Sequence, residues 1–204
     1  MVRITEPVTT ITDYMITIEA IFLMILLGDL DLGGSAMWIK GYFILLGLGA
    51  LLGGTAHGFK EYATQKMELL VWRGSLVVLG ATSFCLVVGL SYVFVENIAP
   101  WVQLVFGIAF IPYLWRVKVN GEFIDAIMYY GVATLVSITI TVFAIISGNS
   151  GASLILTGFL VLILGTFIQM KKIGIHKHFN HNDIFHVFTM VAIWFIYKGL
   201  RSAF

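Results

Sequence analysis

The stretch that decides the fold is MELLVWRGSLVVLGATSFCLVVGLSYVF at residues 67–94, in which Glu68 and Arg73 are the only charged side chains. A helix of about 20 mostly apolar residues crosses the hydrocarbon core of a bilayer, so this stretch predicts a transmembrane helix. Six other stretches have the same apolar character. The predicted fold class is an all-α integral membrane protein, a bundle of seven transmembrane helices at residues 12–28, 37–58, 67–94, 100–117, 123–147, 151–170 and 182–201.

The composition of the whole chain supports a bilayer environment. Of the 204 residues, 59% are hydrophobic and only 11% are charged, whereas about 25% of residues are charged in a soluble domain. The net charge of +1 excludes the basic surface that a nucleic-acid-binding protein needs. A single cysteine excludes a disulfide framework. Membrane lipids are therefore the expected partners. Because no linker is long enough to separate two domains, we expect residues 1–204 to form a single domain.

The distribution of lysine and arginine predicts the orientation of the bundle. The side that holds the N-terminus and the loops after the second, fourth and sixth spans carries Arg3, Lys60, Lys66, Arg116, Lys118, Lys171, Lys172 and Lys177. The opposite side carries only Lys40, Lys198 and Arg201. Cytoplasmic loops are enriched in these residues. We therefore expect the protein in the plasma (inner) membrane, with its N-terminus on the cytoplasmic side and its C-terminus on the outer side.

Two charged residues lie inside the predicted spans, where charges are rare and usually have a role. Glu19 lies in the first span and Arg73 in the third. Both are about two turns, or roughly 10 Å, from the cytoplasmic ends of their helices. A Glu19–Arg73 ion pair is the least costly way to hold either charge there, so we expect a structural ion pair between them.

Histidine and carboxylate side chains gather at the predicted cytoplasmic end of the bundle. His57 ends the second span, and His181 and His186 flank the start of the seventh. Carboxylates at the same end are Asp13, Glu61, Glu68 and Asp183. Imidazole and carboxylate are the ligands of catalytic zinc, which keeps one position open for water. His176 and His178 lie instead among lysines, as expected for a solvated loop beside lipid headgroups.

Residues 56–70, AHGFKEYATQKMELL, resemble the segment that joins the second and third helices of alkaline ceramidases. These enzymes belong to a superfamily of seven-span proteins that includes the progestin and adiponectin receptors. In the family three histidines bind zinc, and an aspartate and a serine assist the reaction. The resemblance implies that His57 is the first zinc ligand, that Glu68 stands at the carboxylate position, and that His186 is the second histidine of the pair on the seventh helix.

The chain departs from the family pattern at two positions. Gly53 replaces the serine that precedes the first histidine by four residues, and Thr55 is the nearest hydroxyl. Asn182 stands where the first histidine of the pair is expected, and His181 comes one residue earlier. Residues 181 and 186 are about 140° apart on a regular helix, so His181 can join a site with His186 only if the chain turns it inward before the helix.

The leading hypothesis is a membrane-embedded, zinc-dependent hydrolase that cleaves a lipid amide or ester at the cytoplasmic end. It requires the second, third and seventh helices to be neighbours there. The metal ligands are expected to be His57, His181 and His186. The catalytic group comprises Glu68 as base, Glu61 as a substitute base and Thr55 as a donor to the oxyanion. The expected outer partners of the site are Asp13, Asn182 and Asp183.

Two alternatives use the same polar residues without hydrolysis. The first is a receptor-like or transport bundle in which Glu19, Arg73, His57 and Glu68 form a polar intramembrane cluster. The second is a haem-binding bundle with His57 and His186 as axial ligands. Metal analysis separates the first alternative from the hydrolase, and the absorbance of the purified protein identifies the second.

Overall fold

The computed structural model describes residues 4–28, 30–176 and 178–204. Within these residues the chain forms seven long helices and no β-strand. Each helix is long and apolar enough to cross a membrane, so the described residues confirm the all-α class and the number of helices that could span a bilayer. Arg3 and Lys177 of the orientation count lie outside the described residues. The helices are α1 (Pro7–Leu26), α2 (Ala36–Phe59), α3 (Gln65–Phe94), α4 (Ala99–Val119), α5 (Phe123–Ile146), α6 (Ser150–Met170) and α7 (His181–Ala203).

Helix α1 begins five residues earlier than the hydropathy pattern predicts, at Pro7 rather than residue 12. Proline suits a first helical turn because its missing N–H is not needed there. The polar side chains of the first two turns lower the hydropathy of the segment, which is why the sequence pattern places the helix start too late. They are nevertheless buried against neighbouring helices: Thr9, Thr10, Thr12 and Asp13.

The order of the helices around the bundle places α1 at the candidate site. Helix α3 packs against α2, α4 and α5, and α7 packs against α6 and α1. Helix α1 packs on both α2 and α7, which have little direct contact with each other. The expectation that the second, third and seventh helices are mutual neighbours is therefore wrong, because α1 lies between α2 and α7.

Glycines bring the polar turns of α1 into direct contact with α2. A Cβ atom added at Gly54 would lie 2.9 Å from Cβ of Asp13, and one added at Gly58 would lie 2.7 Å from Oγ1 of Thr10. Small residues permit such close approach of helices in membranes. The α1–α2 contact therefore fixes the depth and direction of Asp13.

Candidate functional site

The candidate site is built on the first two turns of α1, which face the end of α2 and the start of α7. Thr9 and Asp13 are four residues apart, and Thr12 is three residues after Thr9, so the three side chains share one part of the helix surface. Together with Glu6, just before α1, they contact residues of α2 and α7. Sequence reasoning missed Glu6, Thr9 and Thr12; the available signal was the run of threonines before an aspartate in an apolar helix.

The centre of the site is His186, which is buried and contacts α1 through both ring nitrogens. Its Nδ1 lies 2.8 Å from Oγ1 of Thr12, and its Nε2 lies 3.3 Å from Oδ1 of Asp13. The Thr12 hydroxyl can donate within its own helix, since the carbonyl oxygens of Val8 and Thr9 lie 3.1 Å and 3.0 Å away. We therefore assign Nδ1 as the donor to Thr12, which leaves the Nε2 lone pair facing Asp13.

Asp183 anchors the start of α7 and joins it to α1. Its Oδ2 accepts from the backbone N–H of Asn180 at 2.6 Å, and the Asn180 side chain accepts from the N–H of Asn182 at 2.7 Å. This capping box makes α7 begin at His181. The other oxygen, Oδ1, accepts from the Thr9 hydroxyl at 2.7 Å. Asp183 is fully buried. Because it fixes the start of α7, it also fixes the position of His186, which lies about one turn further along the helix.

A second imidazole approaches the same part of α1 from α2. Nδ1 of His57 lies 3.4 Å from Oε2 of Glu6, and both side chains are about one third exposed, at 32% and 39%. His57 and Asp183 both lie within the range of charge–charge interaction with His186. Glu6 and Asp183 lie within the same range of Asp13. The structure therefore gathers two imidazoles and three carboxylates at one end of the bundle.

The donor atoms of this group, imidazole nitrogens and carboxylate oxygens, are of the types that zinc binds. Both imidazoles have Nδ1 beside an oxygen of α1 or of the residue before it, which leaves Nε2 of each ring for an ion. Two ligand atoms of a tetrahedral zinc, each at about 2.0–2.1 Å, are about 3.3–3.4 Å apart, whereas a good charge-assisted hydrogen bond is shorter, at about 2.7–2.9 Å. The 3.3 Å between Nε2 of His186 and Oδ1 of Asp13 is longer than such a hydrogen bond. Across the described residues, however, no three His, Cys, Asp or Glu side chains lie close enough together to hold a metal ion.

Two residues predicted to be catalytic, Glu68 and Thr55, have no hydrogen bond or ion pair with His57, Asp13 or His186 among the described residues. Oε1 of Glu68 pairs with Nζ of Lys60 at 3.5 Å. Thr55 donates to the carbonyl oxygen of Leu51 at 2.7 Å. Both Thr55 and Glu68 line an apolar cleft of about 140 Å³ between the end of α2 and the start of α3. Oγ1 of Thr55 also lies 3.3 Å from the hydroxyl of Tyr14 on α1, so Thr55 contacts α1 as well as the cleft.

Three further predicted residues are near the site without joining its contacts. Glu61 is exposed in the short turn after α2. Oδ1 of Asn182 accepts from the side chain of Gln169 on α6 at 3.3 Å. His181 is the first residue of α7, and no hydrogen bond or ion pair of the described residues joins it to His57 or His186. His181 thus belongs to α7 itself rather than to a turn that precedes it.

The predicted Glu19–Arg73 pair is absent from the ion pairs of the described residues. Glu19 lies on α1 near Tyr42 of α2, whereas Arg73 on α3 lies against Gly121 in the turn between α4 and α5. Helix α1 contacts α2 and α7 rather than α3. Equal distance along two helices therefore does not bring these residues together, because the helices are not neighbours.

Comparison with known protein families matches residues 8–203 to a family of unknown function, DUF6962. The match contains the polar turns of α1 together with all the other long helices, and it leaves out Glu6. No curated protein and no solved structure matches the chain.

Proposed function

The chain belongs to the DUF6962 family of unknown function, and we propose that it is a membrane-embedded, zinc-dependent hydrolase of a lipid amide or ester, a divergent relative of the alkaline ceramidases. The observation that carries the proposal is the contact of Nε2 of His186 with Oδ1 of Asp13, in a buried position with Nδ1 held by Thr12. Two electron-rich atoms facing each other need a cation or a proton between them. A second imidazole and Glu6 lie close by.

The contacts suggest different roles from those that the family resemblance implies. The residues that would hold zinc are His186 and His57, each through Nε2, and Asp13 through Oδ1. Bound there, the ion supplies Lewis acidity toward water and the substrate carbonyl. Oδ2 of Asp13 lies 3.4 Å from where a Cβ of Gly53 would be, so the missing side chain leaves space beside this oxygen. We assign Oδ2 as the base that orients the attacking water and takes its proton.

A lipid substrate fits the depth of the site. Asp13 is six residues from the start of α1, and His186 is five residues from the start of α7. Both are therefore within about 10 Å of the same end of the bundle. The linkage between the headgroup and the chains of a lipid lies near this depth, whereas a water-soluble substrate would have to leave the aqueous phase.

Elemental analysis of the purified full-length protein tests the proposal directly. After expression with added zinc and purification through a tag without histidine, we expect about one zinc ion per chain in wild type and strong depletion in His57→Ala and in His186→Ala. The control is His178→Ala, which changes an exposed loop histidine and should keep the metal. A second arm measures fatty-acid release from an amide-linked and an ester-linked lipid of equal chain length. Absence of zinc from wild type would overturn the metal-dependent hydrolase.

The second candidate function is a receptor-like or transport bundle that uses the imidazoles and carboxylates around α1, in place of the predicted cluster of Glu19, Arg73, His57 and Glu68. The observation in its favour is that each imidazole already has a protein partner, His57 with Glu6 and His186 with Thr12 and Asp13. A protein of this class should contain no stoichiometric metal and release no fatty acid, and Asp13 variants should change ligand binding or flux instead.

We also propose that the N-terminus is inside and the C-terminus outside, as the lysine and arginine distribution indicates. Cys85 is the sole cysteine of the sequence and is buried, so Ser202→Cys introduces one accessible thiol. A membrane-impermeant maleimide should label Ser202→Cys in intact cells. Lys118→Cys, exposed at the opposite end of the bundle, should react only after the membrane is permeabilised. The reverse labelling pattern would show that the charge distribution misleads here.

A further inference from the structure

Arg73 on α3 has no counter-ion among the described residues. None of their four ion pairs includes it, and its Nε is buried without a hydrogen-bond partner. Arginine is effectively always charged, and an unpaired charge within a transmembrane helix is costly. An anion that is not part of the protein is the simplest way to balance this charge.

The turn between α4 and α5 holds the guanidinium group in place. Gly121 has a φ of +66°, and a Cβ there would lie 3.1 Å from Nε of Arg73. The carbonyl oxygen of Gly121 accepts from Nε1 of Trp72 at 2.8 Å. Glycine is thus required twice, for its backbone conformation and for the close approach of Arg73. Because Nε faces this turn, the two terminal nitrogens are the part of the side chain available to a ligand.

The carboxylates near this turn do not balance the charge of Arg73. Asp125 accepts from Nε of Arg116 at 2.6 Å and is fully buried in that pair. Glu122 is exposed and forms no ion pair in the described parts of the chain. Lys118 is also exposed at the end of α4 and adds positive charge. The surroundings of Arg73 therefore favour an anion.

The depth of Arg73 indicates where such an anion comes from. Helix α3 has 30 residues, or about 45 Å, whereas the hydrocarbon core is about 30 Å thick. Its ends therefore extend into the headgroup layers, and Arg73, eight residues from the start, lies near the boundary. A planar guanidinium group binds two oxygens of a phosphate at once. We propose that Arg73 is a binding site for a phosphate group, carried by an anionic lipid headgroup or free in solution.

Thermal unfolding of the full-length protein in detergent micelles tests this site. The probes are phosphatidylglycerol, phosphatidylcholine and inorganic phosphate, each added separately. Saturating phosphatidylglycerol should raise the melting temperature of wild type by roughly 5–10 °C relative to phosphatidylcholine, the shift expected at about 100 times Kd. Arg73→Gln should lose this shift. Lys118→Gln, which removes a nearby exposed charge, should keep it.

The probes also identify the source of the phosphate. An equal shift with inorganic phosphate alone, lost in Arg73→Gln, supports the site and assigns it to a free anion. A shift with phosphatidylglycerol only assigns it to a headgroup. If Arg73→Gln does not fold, Arg73→Lys provides the comparison, because lysine keeps the charge but cannot bind two oxygens in a plane, so the shift should fall by at least half. A wild type that neither probe stabilises, or an unchanged shift in the Arg73 variants, overturns the proposal.

Discussion

Replacing Asp13 with asparagine is expected to lower lipid hydrolysis by at least about 100-fold while the protein stays folded, since a general base contributes about 10²–10⁴ in rate. The amide keeps the shape of the carboxylate and its contact with Gly54 of α2, but it cannot accept the proton of water and binds zinc more weakly than the carboxylate, so the zinc content of the variant is measured beside its rate. Initial rates at saturating substrate measure the loss in kcat. Circular dichroism and the melting temperature show whether the bundle remains intact.

Two control variants make this prediction specific. Asp125→Asn also removes a buried carboxylate, but one that pairs with Arg116 at the start of α5, so it should reduce stability with little change in kcat. Glu68→Gln alters the residue that the ceramidase resemblance assigns as base. If Glu68→Gln abolishes hydrolysis and Asp13→Asn does not, the family-based assignment is correct and the assignment from the contacts of Asp13 is wrong.

The sequence predicts the seven long apolar helices well because their signal is local. A helix that crosses a membrane needs a long apolar run, and each of the seven runs is visible without knowledge of its neighbours. The start of α1 is the exception, since Thr9 to Asp13 are polar and buried only by contacts with α2 and α7. Their burial depends on packing between helices, which hydropathy does not report.

Position along a helix is readable from sequence, but the side that a residue faces is not. The sequence places His57 and His186 at one end of the bundle, and the structure brings both to α1 there. For Glu19 and Arg73 the same reasoning fails, because α1 and α3 are not neighbours. The early start of α1 also moves Glu19 deeper than Arg73, by about four residues or roughly 6 Å. The position of His181 is a further example, since the capping box makes it the first residue of α7 rather than part of a preceding turn, and the contact pattern of its side chain is not readable from the sequence.

Replacing Gly158 with valine is expected to separate α6 from α7, the two helices with the most extensive contact in the bundle. A Cβ at Gly158 would lie 2.8 Å from the carbonyl oxygen of Ala192 and 2.9 Å from Cγ1 of Ile196. The backbone oxygen cannot turn aside, so the helices must move apart. Gly151 and Gly165, seven residues away on either side, have equally close contacts with α7. A shift at one glycine therefore disturbs the whole contact.

The expected loss of stability for Gly158→Val is about 3 kcal/mol or more, the upper part of the range for overpacked interiors, and Gly158→Ala should cost about 1–3 kcal/mol. Reversible denaturation in mixed micelles measures both.

The matched controls are Gly131→Val and Gly131→Ala on α5, where an added Cβ meets nothing within 4 Å. Alanine there should be neutral or stabilising by up to about 1 kcal/mol. Equal losses at Gly158 and Gly131 would mean that helix propensity, not the α6–α7 contact, sets the cost. Because α7 carries His186, a Gly158→Val protein that remains folded should also bind zinc more weakly than Gly131→Val, which links the glycine contact to the site.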